Sequence, residues 1–145
     1  MVADFRLNAW KNCKTFPGAG RVLEQLRARG YKLGIITNGT VASQQAKLLE
    51  SGLLARIDEA LISEAEQFRK PDQQIFDLAA ERLGVTTAEC VFVGDNPETD
   101  IAGAHNAGMK TVWLQGFLPW PGDLSIVPGN TVTTLLELLY VEFKT

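Results

Sequence analysis

Apolar residues follow two different spacings along the chain, and the two spacings alternate. Short runs of consecutive apolar residues predict buried strands, whereas apolar residues that recur every three or four positions predict helices with one buried face. Glycine or proline marks several boundaries, as at Gly30, Pro71 and Gly84. The predicted elements are strands at 31–36, 59–62, 90–93 and 111–114, helices at 17–29, 41–50, 71–83, 99–107 and 133–140, and a Gly- and Pro-rich loop at 116–129.

The alternation of strands and helices predicts the fold class. Strands separated by helices of about a dozen residues indicate βαβ units and a mostly parallel sheet, so we expect an α/β protein with helices packed on the sheet. Ligands of such sheets bind beyond the carboxyl ends of the strands. The residues directly after each predicted strand are therefore the first candidates for a functional site.

Composition narrows the class of protein. The 145 residues include 14 Lys and Arg against 17 Asp and Glu, a net charge of −3, which disfavours nucleic-acid binding through a general basic field. No apolar run approaches the ~20 residues of a membrane span, and Asp4 and Arg6 stand where a signal peptide would be apolar. Cys13 and Cys90 are too few for a disulfide framework. We expect a single cytoplasmic domain with no nucleic-acid or membrane partner.

Thr37, Asn38 and Gly39 follow the first of these strands. A hydroxyl, an amide and backbone N–H groups in a turn before a helix offer several hydrogen-bond donors to an anion. Thr and Asn are also common helix caps. For this segment taken alone, capping is the simpler interpretation.

Carboxylates are concentrated after the strand at 90–93. Asp95, Glu98 and Asp100 lie within six positions. Hard cations such as Mg²⁺ prefer oxygen ligands, usually one or two carboxylates with water and phosphate. Acidic residues near a helix start are also favoured by the helix dipole, which explains Glu98 and competes as an explanation of Asp100. It does not explain Asp95 directly after an apolar strand, so a metal site is the preferred interpretation there.

Lys70 precedes Pro71 at a predicted helix start, where a positive charge opposes the helix dipole by ~0.3–1 kcal/mol. A lysine in that position is explained if it meets a bound anion. A solvated surface lysine is the common alternative. The other strand-end residues favour the anion.

Three segments together resemble the haloacid dehalogenase-like hydrolase superfamily. They are 33–39 (LGIITNG), Lys70-Pro71-Asp72 with Ile75 and Phe76, and 91–95 (VFVGD) through Asp100 with 104–108. These match the second, third and fourth motifs of that superfamily in the right order, and the similarity runs from about Pro17 to the last helix.

The resemblance implies a Rossmann-like three-layer core and phosphoryl transfer through an aspartyl-phosphate. It implies that Thr37 and Lys70 take part in catalysis, and that Thr37, Asn38, Gly39 and Lys70 bind the phosphoryl group of a small phosphorylated metabolite. Asp95 would bind Mg²⁺, and Asp100 would hold that site through a metal-bound water. Because dehalogenases of the superfamily do not use this Mg²⁺ site, Asp95 favours a phosphatase over a dehalogenase.

The first motif of the superfamily, an Asp-x-Asp pair after the first strand, is absent. No two of the chain's aspartates are two positions apart, and Glu64-Ala65-Glu66 matches the ordinary sequence before the third motif rather than a nucleophile. Residues 1–16 resemble the end of a cap and the return to the core, and residues 17–145 a partial core. We therefore expect a C-terminal portion, inactive alone, that lacks the first strand and the cap.

The missing strand would lie in the middle of the sheet, between the strands that end near Thr37 and Asp95. Its loss would expose two apolar edges. The N-terminal residues, direct pairing of the two strands, or another chain, as in a homodimer, would fill the gap. Two further hypotheses are a binding module that has lost catalysis and a site completed by a second chain.

Several other residues have simpler interpretations. Cys90 is expected to be a buried, inert thiol, and His105 a surface or packing residue. The aromatic residues after the last strand could line a substrate entrance, although loop packing is the simpler interpretation; they are Trp113, Phe117 and Trp120. On the helix at 41–50, the pattern assigns Val41, Gln45, Leu48 and Leu49 to the buried stripe.

Overall fold

The computed structural model describes residues 2–3 and 18–143, and its helices and strands alternate as the pattern predicts. The strands are β1 (Val2–Ala3), β2 (Gly34–Thr37), β3 (Glu59–Ile62), β4 (Val91–Gly94), β5 (Lys110–Leu114) and β6 (Asn130–Val132). The α-helices are α1 (Ala19–Ala28), α2 (Val41–Glu50), α3 (Ser63–Glu66), α4 (Gln73–Leu83) and α5 (Gly103–Asn106). Short 3₁₀ turns lie at Leu54–Arg56, Thr87–Glu89 and Leu135–Leu139.

All six strands form one parallel sheet in the order β3-β2-β1-β4-β5-β6. Side chains of each strand alternate between its two faces, so β2 and β4 contribute to two separate apolar layers. Ile35 and Val93 pack with α1 and α2 on one face, whereas Ile36 and Phe92 pack with α4 and α5 on the other. The result is the predicted three-layer α/β arrangement.

The centre of the sheet holds β1, where the sequence predicts a gap. Val2 pairs with Gly34 of β2 and with Phe92 of β4, and Ala3 pairs with the next residue of each strand. The first of the three ways of filling the gap, by the N-terminal residues, is therefore the one the structure shows. The remainder of the segment assigned to a cap end, like Cys13, lies outside the described residues.

Six local predictions were wrong. The sequence pattern missed β6, and the first predicted strand begins at Gly34 rather than at 31. The helix predicted at 99–107 is a π-helix, Pro97–Ala102, that continues into α5, and the last helix is the 3₁₀ turn Leu135–Leu139. On α2, Gln44 is buried in place of Gln45, and Leu49 is 68% exposed.

No helix in the described ranges combines the length and apolar character needed to cross a membrane.

Candidate functional site

The carboxyl ends of β2 and β4 face the same edge of the sheet, with β1 between them. Thr37 is the last residue of β2, and Asp95 directly follows β4. Lys70 and Asp100 reach the same region from the segment before α4 and from the π-helix. All four side chains are buried, although all are polar. Buried polar groups need partners, so their contacts define what the site can do.

Lys70 and Asp100 form a buried ion pair. The Lys70 Nζ lies 2.7 Å from Asp100 Oδ1, and the two side chains are 3% and 1% exposed. The ammonium also lies 5.9 Å from the centroid of the Phe92 ring, within cation–π range. Burial lowers the pKa of Lys70 from its ordinary value, and the contact with Asp100 opposes that effect. The pair therefore places a positive charge at this edge of the sheet, and the Asp100 carboxylate balances it.

Asp100 is fixed from several sides. Its Oδ2 accepts a hydrogen bond from the Asn96 backbone N–H at 3.0 Å, and its Oδ1 accepts one from the Thr99 hydroxyl at 3.3 Å. A Cβ atom on Gly94 would lie 2.5 Å from this carboxylate. Because real Cβ atoms do not approach that closely, the pair requires glycine at the end of β4. With both oxygens engaged, Asp100 is a supporting group rather than an open ligand.

Thr37 is positioned by a residue that sequence reasoning missed. The Gln44 side-chain amide, buried on α2, donates a hydrogen bond to Thr37 Oγ1 at 2.6 Å. Since the hydroxyl oxygen accepts this bond, its own hydrogen is left for another acceptor. The only sequence signal for Gln44 is its position seven residues after Thr37, on the first two turns of the following helix.

Asn38 and Gly39 are engaged elsewhere. The Asn38 amide group donates to the Lys70 carbonyl oxygen at 3.0 Å, and its Oδ1 accepts from the Lys70 backbone N–H at 2.9 Å. The Gly39 N–H donates to the Ser63 hydroxyl at 2.9 Å. These contacts join the turn after β2 to the segment that carries Lys70. In this structure Asn38 therefore positions the lysine, and the Gly39 N–H supports the turn.

Asp95 lies beside this group with a buried carboxylate, 3% exposed. Its backbone oxygen accepts a hydrogen bond from the Trp113 indole Nε1 at 3.0 Å, which ties the end of β4 to β5. Within residues 2–3 and 18–143, no group of three or more His, Cys, Asp or Glu side chains forms a metal-binding cluster. A Mg²⁺ ion held by Asp95 would complete its shell with water and a bound anion.

The glutamates near Lys70 are occupied by structural contacts. Glu64 accepts a hydrogen bond from the backbone N–H of Val41, the first residue of α2, at 3.0 Å. Glu66 forms a bidentate pair with Arg82 at 2.6 and 2.5 Å. Both carboxylates thus cap or brace helices, in agreement with the sequence argument against a nucleophile there.

Cys90 and His105 lie in the environments that the sequence predicts. Cys90 is buried, and its thiol donates to the Thr86 carbonyl oxygen at 3.3 Å. Burial raises the pKa of this thiol, so the reactive thiolate is disfavoured. His105 is exposed on α5.

Comparison with known proteins shows which family the chain resembles. A family model described as haloacid dehalogenase-like hydrolase matches residues 3–108. The chain is 42% identical over 99 residues to a glyceraldehyde 3-phosphate phosphatase of Pyrococcus abyssi, an alignment that covers 68% of this chain and 42% of that protein. It is 40% identical over 127 residues to the pyrimidine 5'-nucleotidase YjjG of Escherichia coli, covering 87% of this chain and 56% of that protein.

The fold comparison agrees. The HAD-hydrolase YfnB of Bacillus subtilis, solved with bound magnesium, superposes with a TM-score of 0.80 at 28% identity, covering 88% of this chain and 56% of that one. The chain spans about half the length of the curated relatives it matches. By sequence and by fold, the chain belongs to the haloacid dehalogenase-like hydrolase family.

Proposed function

We propose that this chain supplies the phosphate-binding and metal-binding groups of a phosphomonoester hydrolase that acts on a small phosphorylated metabolite. In that reaction the P–O bond to the leaving alcohol breaks, water provides the replacing oxygen, and the products are the alcohol and inorganic phosphate. The observation that carries the proposal is the buried Lys70–Asp100 pair beside Thr37 and Asp95 at the carboxyl ends of β2 and β4, the two strands that flank β1. Relatives named as phosphatases and nucleotidases support it.

Each side chain has a role that follows from its contacts. The Lys70 ammonium can neutralise negative charge on a phosphoryl group, and Asp100 and Asn38 hold that lysine in place. The Thr37 hydroxyl can donate its hydrogen to a phosphoryl oxygen because Gln44 already occupies its acceptor side. Phosphoryl transfer depends mainly on such positioning and charge stabilisation.

Mg²⁺ fits the donor set at Asp95. A single buried carboxylate at the sheet edge meets the usual requirement of one or two carboxylates, with water and phosphate completing the shell. Asp95 would bind the ion directly, whereas Asp100, both of whose oxygens are engaged, would act on it through water. When bound, the ion would add positive charge next to the phosphoryl oxygens.

A phosphate-binding module without catalysis is the second candidate. One observation favours it: none of the aspartates of the sequence forms the Asp-x-Asp pair that the family resemblance implies as nucleophile and general acid. Turnover would then depend on another carboxylate, for example one supplied by a second chain. The two candidates share the same phosphate site and differ only in turnover.

Calorimetric titration with Mg²⁺ and inorganic phosphate tests the shared site. We expect Asp95→Asn to weaken Mg²⁺ binding at least about tenfold, since one charged ligand is lost. Asp123→Asn, a change of the same type on an exposed loop, should leave it unaltered. Equal Mg²⁺ affinity in both variants would remove Asp95 from the metal site. Release of phosphate from p-nitrophenyl phosphate would favour the hydrolase, and phosphate binding without release would favour the module.

A further inference from the structure

Trp113 joins β5 to the residue proposed to bind the metal. Its side chain is 8% exposed, and its indole Nε1–H donates a hydrogen bond to the backbone oxygen of Asp95 at 3.0 Å. Packing explains the Trp113 ring, which meets the Trp120 ring edge to face with centroids 4.9 Å apart. Packing does not explain the N–H, because a purely apolar ring would bring no buried polar group that needs a partner.

The peptide group between Asp95 and Asn96 is held on both sides. Its oxygen accepts the hydrogen bond from Trp113, and its N–H donates to Asp100 Oδ2 at 3.0 Å. The two partners come from different elements, β5 and the π-helix, and Asp100 is itself held by its ion pair with Lys70. The plane of this peptide group therefore cannot turn without breaking one of the two hydrogen bonds.

These two hydrogen bonds fix the direction of the Asp95 side chain. On the preceding side, Gly94 is paired in register with Trp113 in the sheet, so the chain enters Asp95 in a defined orientation. On the following side, the peptide group is held as described. Because φ and ψ are the only soft backbone torsions of a residue, fixing both neighbouring peptide groups fixes the direction of the Cα–Cβ bond. A carboxylate positioned in this way loses less conformational freedom when it binds an ion.

We propose that Trp113 is a positioning residue for Mg²⁺, whose indole N–H acts on the ion through the backbone of Asp95. This inference rests on the proposed function, in which the Asp95 carboxylate binds the ion. Groups that orient a metal ligand without touching the metal typically contribute about 10–100-fold to metal affinity. Loss of the indole N–H should therefore weaken Mg²⁺ binding and leave phosphate binding at Thr37 and Lys70, measured without the metal, unchanged.

Calorimetric titration of Trp113→Phe with Mg²⁺ tests the proposal. The variant keeps an aromatic ring on β5 and removes the N–H, so we expect the Mg²⁺ affinity to fall about tenfold. Inorganic phosphate, titrated without Mg²⁺, should bind as tightly as it does to the unaltered chain. Trp120→Phe is the matched control. Among the described residues Trp120 contacts the Trp113 ring and makes no hydrogen bond to Asp95, so its replacement should alter neither affinity.

A double variant shows whether Trp113 acts through Asp95. In Asp95→Asn the carboxylate that Trp113 would position is absent. Adding Trp113→Phe to it should therefore lower the remaining Mg²⁺ affinity by less than about twofold, since two changes that act through one group are not additive. A further tenfold loss in the double variant would overturn the proposal, because Trp113 would then act by another route.

The unaltered chain provides a measurement that does not depend on the folding of any variant. Ion binding at Asp95 changes the field at the backbone oxygen of the same residue, so Mg²⁺ should shift the NMR resonance of the Trp113 indole N–H. The Trp120 indole resonance should shift much less. If saturation with Mg²⁺ leaves the Trp113 resonance in place, the proposed coupling is absent.

The outcomes separate this inference from the proposed function. Equal Mg²⁺ affinity in Trp113→Phe and in the unaltered chain overturns the role of Trp113 and leaves Asp95 as the metal residue. An equal loss of Mg²⁺ and phosphate affinity in Trp113→Phe also overturns it, because the effect is then structural. If the unaltered chain binds phosphate but no Mg²⁺, the metal site of the proposed function fails, and the inference about Trp113 fails with it.

Discussion

The turns after β2 and β4 begin alike and are stabilised differently. Each follows a four-residue strand whose residues are all buried, and each leads to a helical segment. After β2, the polar side chains Thr37 and Asn38 make hydrogen bonds between neutral groups. After β4, Asp100 is held by a buried ammonium from a distant segment. The site thus has two halves. The neutral half, Thr37 and Asn38, can donate hydrogen bonds to an anion, and the charged half, Lys70 and Asp100, depends on its ion pair.

This difference predicts unequal sensitivity to substitution. Removing one partner of a neutral hydrogen bond typically lowers stability by about 1 kcal/mol, whereas removing one partner of a buried ion pair leaves a charge in an apolar environment. The charged half should therefore be the more fragile. The ranking can be tested by the change in the free energy of unfolding, which should be largest for variants of the buried ion pair.

Lys70→Met should produce the largest loss. It leaves the Asp100 carboxylate buried, with the Asn96 N–H and the Thr99 hydroxyl as its remaining partners among the described residues, and such losses reach about 3–5 kcal/mol. Denaturant unfolding measures the change. Adding Asp100→Asn to Lys70→Met should recover part of the stability, because the unpaired charge is removed.

The matched control for Lys70→Met is an exposed ion pair of the same chain. Arg27 and Asp58 lie 3.2 Å apart with side chains 48% and 37% exposed. Arg27→Met should lower stability by less than about 1 kcal/mol. If Lys70→Met has as small an effect as Arg27→Met, the buried pair does not hold the charged half together.

Gly94→Ala should be the next most damaging change. The added methyl group would lie 2.5 Å from the Asp100 carboxylate, so the π-helix must shift, and overpacking of this kind lowers stability by about 1–3 kcal/mol. Gly122→Ala is the control, since a Cβ atom there meets no atom within 4 Å. Thermal unfolding of the two variants should separate them clearly. Equal melting temperatures would show that Asp100 has room to move.

Gln44→Leu tests the neutral half. It keeps the volume of the buried side chain and removes the donor to Thr37 Oγ1, so we expect a loss of about 1 kcal/mol and weaker phosphate binding. Gln45→Leu makes the same change one residue further on an exposed position of α2 and should alter neither property. An unchanged phosphate affinity in Gln44→Leu would mean that Gln44 does not orient the Thr37 hydroxyl.

Gln44 and Gln45 also show what the sequence pattern could not predict. The hydrophobic pattern located α2 with its observed bounds but placed the wrong glutamine on the buried stripe. A buried glutamine is explained only by its partner, and Thr37 becomes that partner through the turn between strand and helix. The pattern likewise offers no signal for Gly94, whose necessity comes from the approach of Asp100.

Elements with strong local patterns were predicted well. The bounds of β3 agree with the pattern because a short apolar run between polar turns has few alternatives. The two shortest strands were not predicted. Val2–Ala3 and Asn130–Val132 have two and three residues, too few for any periodicity, and both depend on pairing with strands that are distant in sequence.

The site residues follow the same division between local and long-range signals. Thr37 and Asp95 were expected to lie at one edge because a parallel sheet brings strand ends together, and the family resemblance added Lys70 and Asp100 to them. Their contacts were not predictable, since the Lys70–Asp100 pair spans 30 positions of sequence. The π-helix at Pro97–Ala102 was also predicted only as a helix, because apolar spacing does not reveal which carbonyl each N–H reaches.

Gln67→Gly should have the smallest effect and the opposite sign. Gln67 lies in the segment that carries Lys70 to the two strand ends, and it has a φ of 62°, the only positive φ of a non-glycine residue in the described parts of the chain. Its side chain is exposed, so glycine removes no buried contact. Relief of the left-handed backbone contributes about 1–2 kcal/mol, and the greater freedom of the unfolded chain offsets about 0.4–1 kcal/mol. A net gain of about 0.5–1 kcal/mol should appear in denaturant unfolding.

The same substitution inside a helix, Gln45→Gly, should instead lower stability by about 1 kcal/mol. If both variants lose stability, the turn before Lys70 is held by the Gln67 side chain, and the segment that joins the two halves is less tolerant than its backbone geometry indicates.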